Sequence, residues 1–340
     1  MGDIRELTNQ LSAFFRTTDF FVSTVQGGAS TRQYYRIDFR KPAYFPTSTV
    51  MLMVIPPTER RILNDYINID CYFKRKTVST PRVFEVNLDH CWIFQHFEES
   101  PTLESYLHVH PEELERIIPH TVNFIQQMLK NCPVENHCPA FQRRFDFDKY
   151  MFEFNFHVAE QLLTNYFQFD FDQTVFRTFA EEICTTLDID LPVFTHRDFQ
   201  SSNVFITNWG KKPMFSLIDF QDARYGSPTY DVVSCLWDSY LPIPQTLREK
   251  LIREHFTFLQ KLGINWDWES YEKNVDYTII QRKLHDAGAF AYNYRRFKSK
   301  RYVGYINSTL EMVLQVLKKY PDFAGAKDLF EKARLSRSPG

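Results

Sequence analysis

A stretch in the middle of the chain places two carboxylates and an amide around short apolar segments. Residues 194–222 read FTHRDFQSSNVFITNWGKKPMFSLIDFQD, and Asp219 directly follows the apolar segment FSLI. Phosphoryl transfer from a nucleotide needs a carboxylate that takes the proton of the attacking hydroxyl, and oxygen ligands that hold a metal ion on the phosphates. The stretch HRDFQSSN fits the catalytic-loop pattern H-R-D-x-x-x-x-N. Either Asp alone could be an ordinary cap, but the combined pattern favours Asp198 as the base and Asn203 and Asp219 as ligands of Mg²⁺.

A glycine-containing turn precedes this stretch, between two predicted strands. It consists of Gly27, Gly28, Ala29 and Ser30. A turn without Cβ atoms lets backbone N–H groups approach phosphates, so we expect these residues to cover the phosphates of ATP. On the following strand Arg32 and Arg36 share one face, because side chains alternate along a strand, and we expect both arginines beside the nucleotide. The alternative is an ordinary hairpin with a solvated edge strand.

The order of the predicted elements indicates an α+β protein with two lobes. Period-2 patterns predict strands at 20–26, 32–39, 48–55, 82–87 and 91–97. Helical periodicity predicts helices at 4–16, 59–76, 111–131, 146–167, 172–187, 245–262 and, in the main, 271–319. A small antiparallel N-lobe at 1–97 and a larger, mostly helical C-lobe at 98–340 would leave a cleft between them. This is a bilobal, protein-kinase-like arrangement.

Composition excludes several other classes of protein. The 33 Phe and 18 Tyr against 10 Gly predict an aromatic core, and a net charge of −2 gives no general attraction to nucleic acid. The run VMLMVIPP is far too short to span a bilayer, and the acidic N-terminal segment is not a signal peptide, so we expect a soluble cytoplasmic protein. The pair Cys132 and Cys138 with His137 lacks the fourth ligand of a structural zinc site. The basic residues from Arg295 to Arg301 are read as a solvated helix face.

Several segments together resemble one known family. These are GGASTRQYYRI, MLMVIPP, FTHRDFQSSNVF, LIDFQDARYGSPTYDVVSCLWD and QRKLHDAGAF…KSKRYVGYI. They resemble the aminoglycoside/choline-kinase-like phosphotransferases, and most of all the branch of anomeric N-acetylmuramate/N-acetylglucosamine kinases of bacterial cell-wall recycling. The likeness runs from about residue 20 to 315. It implies the same roles for Asp198, Asn203 and Asp219, a bracing role for His196 and Asp231, and adenine contacts by the backbone near Gln95, His96 and Phe97.

One departure concerns the cation that grips the phosphates. The third strand, VMLMVI, has no lysine where a protein kinase of the V-A-I-K type places one. One interpretation is a catalytically weak nucleotide-binding regulator. The other is that Arg32 or Arg36 supplies the cation.

The acceptor is expected to be a small molecule. Only eleven residues separate Asp219 from Asp231, and no A-P-E motif follows, so there is little platform for a peptide. Candidate acceptor-binding residues are Gln200, Ser201, Glu153, Asp222, Gln281 and Arg282. The resemblance favours the C1 hydroxyl of an N-acetyl amino sugar. A choline, aminoglycoside or other amino-alcohol acceptor is the alternative, and the sequence leaves ATP and GTP open as donors.

Overall fold

A computed structural model describes residues 4–25, 31–41, 44–191, 193–208 and 212–336. Within these residues, the N-terminal part forms an antiparallel sheet of five strands in the order β1-β2-β3-β5-β4. The strands are β1 Phe20–Val25, β2 Gln33–Phe39, β3 Thr49–Val54, β4 Val83–Asn87 and β5 Trp92–His96. Helix α1 (Ile4–Phe15) precedes the sheet, and α2 (Arg60–Arg75) connects β3 to β4. The predicted glycine turn Gly27–Ser30 lies outside the described residues.

The two faces of this sheet belong to different hydrophobic clusters. Leu7, Leu11 and Phe15 fall on one face of α1 and pack with alternate residues of the sheet such as Ile37 and Leu52. The other face packs on α2 and shares one continuous core with the rest of the chain. The division into lobes at 97 and 98 therefore stays a prediction, because the larger core crosses this point.

The remaining part is mostly helical. Its helices are α3 Leu103–Val109, α4 Leu114–Asn131, α5 Phe147–Glu153, α6 Gln173–Leu187, α7 Tyr230–Leu236, α8 Gln245–Lys261, α9 Trp268–Phe297, α10 Tyr305–Leu317 and α11 Ala324–Ser336. Two short antiparallel pairs lie among them, β6 (Val193–Thr195) with β9 (Arg224–Gly226) and β7 (Val204–Asn208) with β8 (Met214–Leu217). The predicted α+β architecture, a small antiparallel sheet followed by a mostly helical part, is confirmed. None of the described helices combines the length and the apolar character needed to cross a lipid bilayer.

Two predicted helices differ from the structure. The segment 271–319 is interrupted, since α9 ends at Phe297 and Lys298 takes the left-handed conformation (φ 56°). The predicted helix face from Arg295 to Arg301 is therefore wrong in its second half, because Arg301 lies in the loop before α10. In the segment 146–167, α5 continues into a π-helical segment, Phe154–Tyr166. The π segment packs closely on α9 at Gly288, where an added Cβ would lie 2.1 Å from the carbonyl oxygen of His157.

Candidate active site

The catalytic-loop residues are held between β6 and β7 by a buried carboxylate. Asp231, in the first turn of α7, accepts the backbone N–H groups of His196 (2.7 Å) and Arg197 (3.0 Å). Burial raises the pKa of Asp231 to about 7, although both N–H groups lower it. The predicted bracing role of Asp231 is confirmed by these two hydrogen bonds.

A second brace joins the catalytic loop to the segment that carries Asp219. His196 is fully buried, and its Nε2 lies 3.1 Å from the carbonyl oxygen of Ile218. Burial lowers the pKa of His196, so the ring is neutral and donates its Nε2–H to this oxygen. The backbone N–H of Ile218 also donates to the carbonyl of Asn203 (3.1 Å). These contacts fix the catalytic loop relative to the segment that carries Asp219.

Asp198 carries two guanidinium neighbours. Nη2 of Arg282 lies 3.1 Å from Oδ1, and Nη1 of Arg197 lies 3.6 Å from Oδ2. Burial raises the pKa of the Asp198 carboxyl, but the charges of Arg197 and Arg282 lower it by more, so it lies below its ordinary value. Asp198 is therefore ionised at neutral pH, as a base that accepts a hydroxyl proton must be.

The two predicted metal ligands offer oxygen atoms. Nδ2 of Asn203 donates to the backbone carbonyl of Asp198 (2.9 Å), so the oxygen of this amide is the atom with lone pairs for a cation. Asp219 follows β8 in the left-handed conformation (φ 65°) and lines the same cleft. Within the described residues, no group of three or more His, Cys, Asp and Glu is placed to hold a metal. One carboxylate and one amide fit Mg²⁺, which keeps several water ligands and also binds phosphates.

Arg32 and Arg36, predicted as equivalent, have different environments. Arg32 lines the cleft, and its Nη2 lies 2.7 Å from Oδ1 of Asp219. Arg36 is paired with Asp38 (2.8 Å) and lies 4.8 Å over the ring of Phe97. Neither Arg36 nor Phe97 is among the residues that line the cleft. Of these two arginines, Arg32 is therefore the one that lies in the cleft.

The cleft between the sheet and the helical part has a volume of about 610 Å³. At the sheet end its wall is mainly apolar and includes Val25, Met51, Met53, Gln95, His96 and Ile218. The side chain of Gln95 accepts a hydrogen bond from the hydroxyl of Tyr66 (2.6 Å), and the N–H of His96 donates to the carbonyl of Arg82 (2.8 Å). A flat heteroaromatic ring would fit such a wall.

The opposite end of the cleft is formed mainly by α9, the π segment and the loop before α10, with further side chains from α3, the catalytic loop and the segment after α7. Its residues include Glu104, His157, Gln200, Tyr240, Arg282, His285, Asp286, Phe290, Asn293, Arg301 and Tyr302. The rings of Phe290 and Tyr302 stack with centroids 5.4 Å apart. Burial lowers the pKa of His157 to about 2, so this imidazole is neutral.

The predicted acceptor residues are only partly brought together. Gln200 and Arg282 line the cleft, but Glu153, Ser201, Asp222 and Gln281 are not among its lining residues. Glu153 is buried against Lys149 (2.9 Å) and accepts a hydrogen bond from Gln281 (2.7 Å). The N–H of Ser201 donates to Asp238 (2.6 Å), and Asp222 lies 3.6 Å from Arg197. These contacts brace the loop from behind.

Sequence reasoning missed most of the cleft wall that α9 provides. His285, Asp286, Ala289, Phe290 and Asn293 line the cleft together with Arg282. Their spacing of three, four, seven, eight and eleven residues from Arg282 is that of one helix face. The helical spacing was therefore visible in the sequence. The sequence does not indicate, however, whether such a helix face packs in the core or lines a cleft.

Comparison with known proteins shows the family of this chain. The family model described as the phosphotransferase enzyme family (APH) matches residues 22–272. The chain belongs to this family. It is thus a kinase-like, ATP-dependent phosphotransferase, and the predicted resemblance is confirmed.

Several relatives carry the name N-acetylmuramate/N-acetylglucosamine kinase. The protein from Neisseria meningitidis is 24% identical over 94% of this chain and 92% of its own length. The protein from Pseudomonas putida is 28% identical, but the matched part spans only 40% of each chain.

Solved structures show the same fold at low identity. An ethanolamine kinase from Plasmodium vivax has a TM-score of 0.60 at 12% identity and covers 93% of this chain and 84% of its own. An ADP-bound aminoglycoside phosphotransferase has a TM-score of 0.59 at 14% identity, covering 96% and 98%. A choline kinase from Cryptosporidium parvum has a TM-score of 0.60 at 11% identity, covering 97% and 100%.

Proposed function

We propose that this phosphotransferase transfers the γ-phosphoryl group of ATP to the anomeric hydroxyl of an N-acetyl amino sugar, N-acetylmuramate or N-acetylglucosamine. The observation that carries the choice of acceptor is the charge at the α9 end of the cleft. Asp286 is already neutralised there by Arg282 (3.1 Å) and Lys283 (2.5 Å). An acceptor with several positive charges would need carboxylates that are not already paired with cationic side chains of the protein.

Arg301 also lines this end of the cleft, and its positive charge disfavours a cationic acceptor. Burial raises the pKa of Glu104, and the positive charge of Arg301 opposes it. Neutral hydroxyl and amide groups can instead bond to Asn293, Gln200 and His285, while the apolar face of a sugar ring packs on aromatic side chains. The names of the relatives from Neisseria meningitidis and Pseudomonas putida support the same choice.

In this proposal, the nucleotide would occupy the other end of the cleft. The adenine would lie between the apolar residues of β1 and β3 and Ile218, near the backbone of Gln95 and His96. Arg32 would turn from Asp219 to the phosphates and so replace the lysine that β3 lacks. This arrangement supports a working enzyme over a catalytically weak regulator. Magnesium, when bound by the oxygens of Asn203 and Asp219, would neutralise charge on the phosphates.

The reaction then needs one proton acceptor. Asp198 would orient the acceptor hydroxyl and take its proton as the oxygen attacks the γ-phosphorus and the bond to the leaving ADP breaks. The product would be the sugar 1-phosphate.

An acceptor panel tests this function. The enzyme would be incubated with γ-labelled ATP and N-acetylmuramate, N-acetylglucosamine, choline, ethanolamine or an aminoglycoside. We expect label in the two sugars together with loss of their reducing ends, because only phosphorylation at C1 blocks the aldehyde. Label in choline or an aminoglycoside alone, or a sugar product that still reduces, would refute the proposal.

A further inference from the structure

Arg282 occupies an unusual position for a charged side chain. It is 1% exposed, yet it forms part of the cleft wall. Its Nη2 lies 3.1 Å from Oδ1 of Asp198 and also 3.1 Å from Oδ1 of Asp286, and its Nη1 lies 3.4 Å from Nδ1 of His285. One guanidinium nitrogen therefore joins the catalytic loop to α9.

Asp286, the second carboxylate that Arg282 contacts, is itself held in place. Asp286 accepts hydrogen bonds from Lys283 (2.5 Å) and from Nε2 of Gln200 (3.1 Å). Gln200 is two residues after Asp198 in the catalytic loop. The contacts from Asp198 through Arg282 and Asp286 to Gln200 consequently form a closed ring that starts and ends on that loop.

The two carboxylate oxygens of Asp198 lie at different distances from their guanidinium neighbours. Oδ1 is at hydrogen-bond distance from Arg282, whereas Arg197 lies 3.6 Å from Oδ2, which is too long for a hydrogen bond. Oδ2 is thus the oxygen that can approach a hydroxyl at the 2.6–3.2 Å that proton transfer requires.

We propose that Arg282 is a positioning residue: it holds Oδ1 of Asp198 so that Oδ2 receives the proton of the acceptor hydroxyl. This role rests on the proposed function of Asp198 as the base. It differs from the acceptor-binding role that the sequence indicates for Arg282, since the arginine acts on the substrate only through the carboxylate.

A double-mutant cycle between Arg282 and Asp198 tests this role. We expect Arg282→Met to lower kcat about 10- to 100-fold, a part of the roughly 10²- to 10⁴-fold that a general base contributes. The KM for the acceptor and the affinity for MgADP should stay unchanged. In an Asp198→Asn background, the same substitution should cost nothing further, because the base that it positions is absent.

Two outcomes would overturn the proposal. A higher KM for the acceptor with unchanged kcat would show that Arg282 binds the acceptor directly. A fall in kcat of equal size in both backgrounds would show a merely structural role. These kinetics use whichever acceptor the panel identifies, so the test remains valid even if the proposed sugar is wrong. Full activity of Asp198→Asn would instead show that Asp198 is not the base.

Further variants guard against a misfolded protein. Arg282→Lys keeps the charge, and Asp286→Asn weakens the anchor of Arg282. Each should lower kcat less than Arg282→Met does, and each should be silent in the Asp198→Asn background. The matched control is Asp276→Asn, which breaks another ion pair of α9, with Lys319 (2.9 Å), away from the cleft. It should lower the melting temperature and leave kcat and KM unchanged.

Discussion

At the scale of single residues, the ion pair between Arg32 and Asp219 supports the proposal that Arg32 replaces the lysine that β3 lacks. Tyr34 is paired in register with Met53 of β3, and Arg32 lies two residues before Tyr34 on the same face. The arginine therefore reaches the cleft from the position just before β2, the strand next to β3. There it pairs with Asp219, the carboxylate that would hold the metal. The same guanidinium could thus pair with Asp219 before the nucleotide binds and with a phosphate afterwards.

Arg32→Met should weaken the binding of MgATP about 10- to 100-fold, because a hydrogen bond to a charged group contributes about 1.5–3 kcal/mol. Titration calorimetry with MgADP and steady-state kinetics would measure this. Arg36→Met is the matched control, since Arg36 pairs with Asp38 outside the cleft. Equal losses in both variants would contradict the assignment of the phosphate contact to Arg32.

Asp198→Asn should bind MgADP normally and lose most of its turnover. The amide keeps the shape of the side chain but cannot take a proton, so kcat should fall about 10²- to 10⁴-fold. Calorimetry for the nucleotide and a labelled-ATP assay for turnover separate the two effects. Wild-type turnover in this variant would mean that another group is the base.

At the scale of elements, the close approach of α9 to the π segment determines the shape of the cleft at the end where we propose that the acceptor binds. His157 from the π segment and His285 from α9 have ring centroids 4.3 Å apart, and both line the cleft. Gly288 permits this approach because it has no Cβ to meet the carbonyl of His157.

Gly288→Ala should therefore destabilise the protein by about 1–3 kcal/mol, the usual cost of overpacking, and should raise the KM for the acceptor. Gly304→Ala is the control, since an added Cβ there would meet nothing within 4 Å. Thermal unfolding and acceptor kinetics of the two variants would be compared. An unchanged melting temperature for Gly288→Ala would show that the two segments are less tightly packed than described.

The sequence predicts local elements better than it predicts their partners. Helix α2 was expected at 59–76 and lies at Arg60–Arg75, because its helical periodicity and the preceding Pro56 and Pro57 are local signals. The end of α9 was missed, since Lys298 stops the helix in a left-handed conformation without a Gly or Pro. The pairing of Arg282 with Asp198 spans more than eighty residues, so only the tertiary fold reveals it.

At the scale of the whole molecule, buried charge makes the stability of the fold dependent on pH. Glu153 is 1% exposed and pairs with Lys149 behind the catalytic loop. Burial raises the pKa of Glu153, but the neighbouring His285, Lys149 and Arg197 lower it by more, to well below its ordinary value. The folded chain therefore binds this proton less readily than the unfolded chain. The pair stabilises the fold above the ordinary pKa near 4.5 and loses this effect as the pH falls through the lowered value.

Glu153→Gln should lower the free energy of unfolding at neutral pH by about 3–5 kcal/mol, since it leaves buried cations without their partner. Urea unfolding over a range of pH should show the gap to the wild type closing as the pH falls below about 4. Glu181→Gln, which removes an exposed pair with Arg177, serves as the control and should change stability little. A gap that stays constant with pH would contradict the ionised state of Glu153.

The separation of the two hydrophobic clusters by the sheet has a practical consequence for redesign. Side chains such as Leu11, Phe15, Ile37 and Phe94 pack on the α1 side of the strands, and the cleft opens on the other side. Substitutions that enlarge or stiffen the packing under α1 would thus affect nucleotide binding only by shifting the strand backbones. Libraries that vary this compartment can be selected for thermal tolerance alone, while variation of the cleft face of α9 tests acceptor choice independently.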